Sequence, residues 1–199
     1  MLAMSRSAFN LDRFFEDCHA ALKEDTPQKA VREVLARALS GPAAVRDAVG
    51  APQRAQVQRL HVTPDLAILN VVWAPEMTVM PHDHNMWAII GLYDGREDNI
   101  FWRRIKDAAD GKVNAGKVEA AGAKSLSTGE IATLGHDIIH SVTNPIPRFS
   151  GAIHIYGGDF FNAPRSEWDP ETLLERPSSV EKTVRMFEDA NKRAAAFMQ

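Results

Sequence analysis

The chain has 199 residues, a formal net charge of −3 and a single cysteine, Cys18, with 45% apolar and 25% charged residues. That length suits one domain with a well-buried core, and the mild negative charge gives no general reason to expect nucleic acid or an anionic membrane as a partner. One cysteine excludes an intramolecular disulfide and suits a reducing compartment. Met1–Ser7 leads into charged residues rather than an apolar run of signal or membrane-spanning length, so the expectation is a cytoplasmic protein.

Residues 8–49 read as a helical layer. Leu11, Phe14, Phe15, Cys18 and Leu22 recur at helical spacing, and a second stripe runs through Val31, Val34, Leu35, Ala38 and Leu39. Thr26-Pro27 supplies a capping hydroxyl followed by proline at the first helical position. Gly41-Pro42 ends that helix and starts a short third one.

From Gln56 the texture changes to short apolar and β-branched runs: Val57–Thr63, Leu66–Trp73, Met77–Met80, Trp87–Tyr93, Asn99–Arg104, Glu130–Leu134, Ile138–Asn144 and Phe149–Tyr156. Turn signals such as Thr63-Pro64-Asp65, Asp94-Gly95, Asp110-Gly111 and Asn144-Pro145 separate them. Many short strands at this spacing predict an antiparallel sandwich or barrel over residues 56–160. Residues 106–128 read as hairpins and loops with weak strands. Arg96-Glu97-Asp98-Asn99 reads as a solvated hairpin end with an inter-strand salt bridge. Trp168-Asp169-Pro170-Glu171 predicts a turn into one helical turn. Residues 178–198 read as a helix with Val180, Thr183, Val184 and Phe187 on its apolar stripe. The whole, 1–199, is one domain.

Within the barrel region, His82 and His84 stand two apart. On a strand both imidazoles point to one side and Asp83 to the other. Two neutral imidazoles on one face are half of a metal site, which a third ligand from a neighbouring strand would complete with positions open for substrate. A second stretch, Gly129 to Asn144, carries His136 and His140. His136 reads as a turn residue at the rim.

Taken together, the two stretches resemble the cupin family, double-stranded β-helix (jelly-roll) barrels that hold one metal ion inside. His82, His84 and Gly95 match the first motif, with Glu76 where a glycine is usual. Gly129, His140 and Asn144 match the second, with Gly135 and Asp137 in place of proline and glycine. The glutamate ligand of the first motif is missing: Ala88 or Ile89 stands there. The resemblance therefore implies a mainly β cupin barrel with N-terminal helices and a C-terminal helix, and a three-histidine metal site of His82, His84 and His140.

A neutral triad leaves the charge of the ion to anionic co-ligands such as a thiolate or carboxylate. Within cupins this is similar to the thiol dioxygenases, which use Fe(II), O2 and a small thiol. Those enzymes carry Ser-x-His-x-Tyr, and here the segment is Ala152-Ile153-His154-Ile155-Tyr156. The resemblance implies Tyr156 and His154 as catalytic residues, although Ala152 lacks the hydroxyl that would orient the histidine. Cys18 is in a distant helix, so a cysteine–tyrosine cross-link is excluded. For the arginine that binds a substrate carboxylate, Arg59, beside His61, is nearest by position, with Arg103 and Arg148 as substitutes. Three imidazoles also suit Zn, Ni, Cu or Mn, so a cupin isomerase, lyase or hydrolase and a non-catalytic binding barrel stand as alternatives. The partners implied are a small molecule and O2, with homodimers common in the family.

Overall fold

The structure is a computed structural model and describes residues 9–105 and 116–197. Strands β2 (Ala67–Trp73) and β9 (Ser150–Tyr156) are buried at every position, because both faces of their sheet are covered. Three helices, α1 (Leu11–Ala21), α2 (Pro27–Leu39) and α3 (Pro42–Val49), lie on the outer face. Asn10 caps α1, its Oδ1 accepting from the Arg13 amide at 2.7 Å. Thr26 precedes α2, but its hydroxyl makes no capping bond; the proline alone marks that start.

The alternation along each strand sorts residues into two cores. Ile68, Ile89, Ile153 and Ile155 face outward and pack with Phe14, Cys18, Val31 and Leu35 of the helices. Leu69, Val71, Trp73, Ile90, Ala152 and Tyr156 face inward. Each fully buried large apolar side chain stabilises the fold by about 1.5–3 kcal/mol.

The remaining strands are β1 (Gln56–Val62), β3 (Thr78–His82), β4 (Ala88–Asp94), β5 (Arg96–Arg104), β6 (Val118–Ser127), β7 (Ile131–Leu134), β8 (Ile139–Thr143), β10 (Ser166–Trp168) and β11 (Glu175–Pro177). They form two sheets, ordered β1-β2-β9-β4-β7 and β11-β10-β3-β8-β5-β6, with antiparallel pairing throughout. Strands β2 to β9 are thus the eight strands of a jelly roll, four in each sheet. This is the cupin-like double-stranded β-helix expected from the sequence. At one end the helix α4 (Val180–Phe197) closes the barrel, Phe187 lying 5.6 Å from Trp73 between ring centroids. No described helix is long and apolar enough to cross a membrane.

Four local expectations need correction. The run Val118–Ser127, expected as hairpins and loops with weak strands, is one continuous ten-residue edge strand with only Val118 and Leu126 buried, so it carries little apolar signal. Residues 106–115, with the Asp110-Gly111 turn, lie outside the described residues. The expected turn is present, Leu173 N–H bonding the Asp169 carbonyl at 2.8 Å, but as the tip of a β-hairpin over residues 166–177. On α4 it is Phe187, Ala190 and Ala194 that are buried, while Val180 and Val184 are exposed. Glu97 and Asn99 are interior, at 0% and 1% exposure, so the solvated hairpin end is wrong for alternate residues of β5. The ion pair there joins Arg96 to Asp98 on the same strand, at 2.9 Å.

Candidate metal centre

Strand β3 ends at His82, and the chain then leaves the sheet. Asp83 turns away from the barrel interior: its Oδ1 accepts from the Ser166 amide at 2.8 Å, and Arg104 lies 3.8 Å off. Asn85 follows at φ +51°, a left-handed position that asparagine tolerates, and its Nδ2 donates to the Pro164 carbonyl at 2.7 Å. These bonds hold the loop so that His82 and His84 converge, with ring centroids 5.1 Å apart. The two histidines share a side, as expected, although only one of them is on a strand.

His140 arrives from β8, which pairs directly with β3 at His82. One ligand atom from each of His82, His84 and His140 lies within 4.8 Å of the others, and this triplet could hold a metal ion. The Nε2 atoms of His84 and His140 are 3.4 Å apart. Metal–nitrogen bonds of about 2.0–2.1 Å at right angles put ligand nitrogens about 3 Å apart, so the spacing fits an ion. The outer nitrogens are occupied: His82 Nδ1 with the Met80 carbonyl at 2.9 Å and His140 Nδ1 with Asn99 Oδ1 at 2.7 Å. Such partners fix the tautomer that leaves Nε2 free to ligate.

Burial is the main reason the three rings are neutral. It lowers His82 to about 4, and it lowers His84 and His140 well below 6.5, with neighbouring histidines adding to the depression. A neutral imidazole is the form that binds metal. No carboxylate belongs to the triplet among the described residues.

His154 and Tyr156 both point into the barrel from β9, His154 Nδ1 lying 3.0 Å from the Tyr156 hydroxyl. The Tyr156 ring is 4.9 Å from that of His84 and 4.1 Å from that of Phe160. Burial pushes the Tyr156 hydroxyl pKa up. On the far side of His154 stands Glu97, whose carboxylate accepts from Trp73 Nε1 at 2.8 Å and from Asn99 Nδ2 at 2.9 Å.

The structure does not bring Arg59 and His61 to this cluster. Arg59 is exposed on β1, its guanidinium 3.7 Å from the Phe161 ring centroid. His61 is on the helical side, with Nε2 2.7 Å from His19 Nε2 and its ring stacked on Phe15. Arg103 is bound to Glu119 and Arg148 to Asp94, both at the surface. His136 is exposed beside Asp137.

The arginine that does reach the centre is Arg165. Its guanidinium lies 4.2 Å from the Phe160 ring centroid, and its charge helps to depress His82 and His84. Burial lowers its own pKa, opposed by Tyr156 and Asp83. Among the described residues its guanidinium has no hydrogen bond and no ion pair. Nothing in the sequence around Asn162-Ala163-Pro164-Arg165 sets it apart; only the hairpin that carries it back across β3 does so.

Asn144 holds the opposite end. Its Nδ2 donates to the carbonyls of Ala74 and Arg148, both at 2.8 Å, and its Oδ1 accepts from Ser150 Oγ at 3.0 Å. Gly95 has φ +89°, and a side chain there would meet Ser150 at 2.3 Å, so this turn requires glycine. Both residues of the motifs are architectural.

No family model matches the chain. Among solved structures, it is similar to a cupin 2 conserved barrel domain protein from Leptotrichia buccalis, at 18% identity and TM-score 0.41 over 56% of this chain and 45% of that one. An RmlC-like cupin family protein with a double-stranded β-helix fold from Methanocaldococcus jannaschii matches at 13% and 0.43, over 57% and 89%. A hydroquinone 1,2-dioxygenase in complex with Cd2+ and 4-hydroxybenzonitrile matches at 9% and 0.42, over 56% and 69%. At these scores the likenesses carry no weight for the chemistry, which stands on the side chains alone.

Proposed function

We propose that the protein is an Fe(II)- and O2-dependent dioxygenase that oxidises a small, anionic thiol. One observation carries this reading: three neutral imidazoles, two buried and one half-buried, converge without a carboxylate, and a guanidinium unpaired among the described residues lies beside them. A divalent ion on a neutral triad keeps its charge for an anionic partner, and a thiolate meets that need. Iron, when bound, supplies the redox chemistry that joins both atoms of O2 to sulfur, turning a thiol into a sulfinic acid with no other oxidant.

The chain's own groups have separate tasks. His82, His84 and His140 would hold the ion on one face. Arg165 would take the substrate's carboxylate, the planar guanidinium suiting two parallel hydrogen bonds. Phe160, its ring 6.2 Å from that of His84, gives the site apolar surface, which excludes water and strengthens each charge interaction. The Tyr156 hydroxyl, bonded to His154, stays protonated at neutral pH and would offer its oxygen as acceptor to a donor on the substrate, such as an amine.

The test is oxygen uptake by anaerobically iron-loaded protein mixed with a panel of small thiols, with and without carboxylates, alongside a His140→Ala control. Uptake with a carboxylate-bearing thiol, lost in the control, is the expected result. No uptake with any thiol overturns the reading, and tightly held zinc with no uptake would point to Lewis-acid chemistry instead.

A further inference from the structure

Three buried carboxylates differ in their company. Asp83 has Arg104 and a backbone amide, and Glu167 has Arg176 and Lys182. Glu97, fully buried, has neither arginine nor lysine within ion-pair reach among the described residues. Among the described residues the ionisable group within ion-pair reach of it is His154, with Nε2 3.7 Å from Oε2. That Nε2 is also a buried side-chain nitrogen with no hydrogen-bond partner.

Two unmet needs therefore face each other. A buried polar atom without a partner costs about 1–3 kcal/mol, and a closing movement of about 0.8 Å would bring the pair to hydrogen-bond distance. Each Glu97 oxygen holds one donor, Trp73 or Asn99, and has room for a second. A bare Nε2 would set a lone pair against a carboxylate, which is repulsive; a protonated Nε2 gives an attraction. Burial alone would raise the Glu97 pKa, but His154, Asn99 and Trp73 outweigh it and hold the carboxyl below its ordinary value.

We propose that Glu97 is the positioning residue of the site: its carboxylate accepts the Nε2–H of His154, which leaves Nδ1 of that ring to accept the Tyr156 hydroxyl proton. The same carboxylate acts in a second direction. It requires the Asn99 amide to present NH2, so Asn99 Oδ1 faces His140 and His140 carries its proton on Nδ1. One buried anion thus sets two tautomers, and both leave the nitrogen or hydroxyl nearest the cluster in its working state. Glu97 takes the place of the absent hydroxyl at Ala152, from a different strand.

The use made of the held hydroxyl rests on the function proposed above, whereas the tautomers do not. They are read in the metal-free full-length protein at neutral pH by long-range 1H–15N correlation of the imidazole nitrogens. The expected spectrum shows a proton on Nε2 of His154 and on Nδ1 of His140. In Glu97→Gln the carbonyl takes the place of Oε2, where the Trp73 N–H points, and the NH2 faces Asn99, so the Asn99 amide turns over and the His140 proton moves to Nε2. An unprotonated Nε2 in the wild type, or the same tautomers in a folded Glu97→Gln, overturns the proposal. Should that variant fail to fold, the wild-type spectrum decides. None of these readings depends on iron or turnover.

Discussion

Asn99 Oδ1 lies 2.7 Å from Nδ1 of His140, and that bond turns the other ring nitrogen toward His84. Replacing Asn99 with alanine frees the His140 ring to rotate and to change tautomer. Loss of such a partner typically weakens metal affinity about 10- to 100-fold, which titration of the metal-free protein with Fe(II) or Zn(II) would measure. The same change deprives buried Glu97 of a donor, so denaturant unfolding should show a loss of about 1–3 kcal/mol. Unchanged affinity would mean that His140 needs no second partner.

Arg165→Met removes the guanidinium while keeping an apolar stem over Phe160. A charge-assisted hydrogen bond contributes about 1.5–3 kcal/mol, so KM for a carboxylate-bearing thiol should rise roughly 10- to 100-fold. A thiol with only an amine should be affected little. Equal effects on both would remove Arg165 from substrate binding.

The metal-free protein should lose stability in mild acid. Unfolded histidines take protons near 6.5, while folded His82 waits until about 4. Between these values the unfolded chain binds more protons, so stability falls as pH drops from 6.5 toward 4. His82 alone accounts for about 2–3 kcal/mol, and His84 and His140 act in the same direction. Urea midpoints measured from pH 7.5 to 4.5 would show it, and a flat profile would contradict the depressed basicity of the three rings.

Cys18 should resist thiol reagents in the folded state. Burial pushes its thiol up to about 12, with Asp17 adding to the effect, and the side chain is fully enclosed. Reaction with a disulfide reagent should appear only as the chain unfolds. It is also held among the outer-core residues of α1, on the opposite face of the sheet from Tyr156.

The barrel and its three histidines were legible because their signals are local: alternation along strands, glycines at turns, and two imidazoles two residues apart. His154 and Tyr156 were legible for the same reason. Glu97 and Asn99 looked like surface residues because charge and amide content at a hairpin says nothing about which face of β5 is inside. Only the pairing of β5 with β8, Phe101 opposite His140, decides that. Arg165 was invisible because it comes from a hairpin with almost no apolar pattern of its own. Position in the sequence points instead to Arg59, which lies on an edge strand over Phe161.

The hairpin bearing Arg165 is stitched to the very loop that carries the candidate ligands His82 and His84. Glu167 pairs with His82, Ser166 exchanges bonds with Asp83, and Asn85 grips Pro164. Such a roof does not swing away by itself, since each of its fastenings is on or next to a ligating residue. A small molecule would then have to reach the centre past side chains rather than through a backbone opening, with Phe160 and Arg165 standing beside the cluster. The same fastening means that anything seated against the hairpin is felt by the rings beneath it.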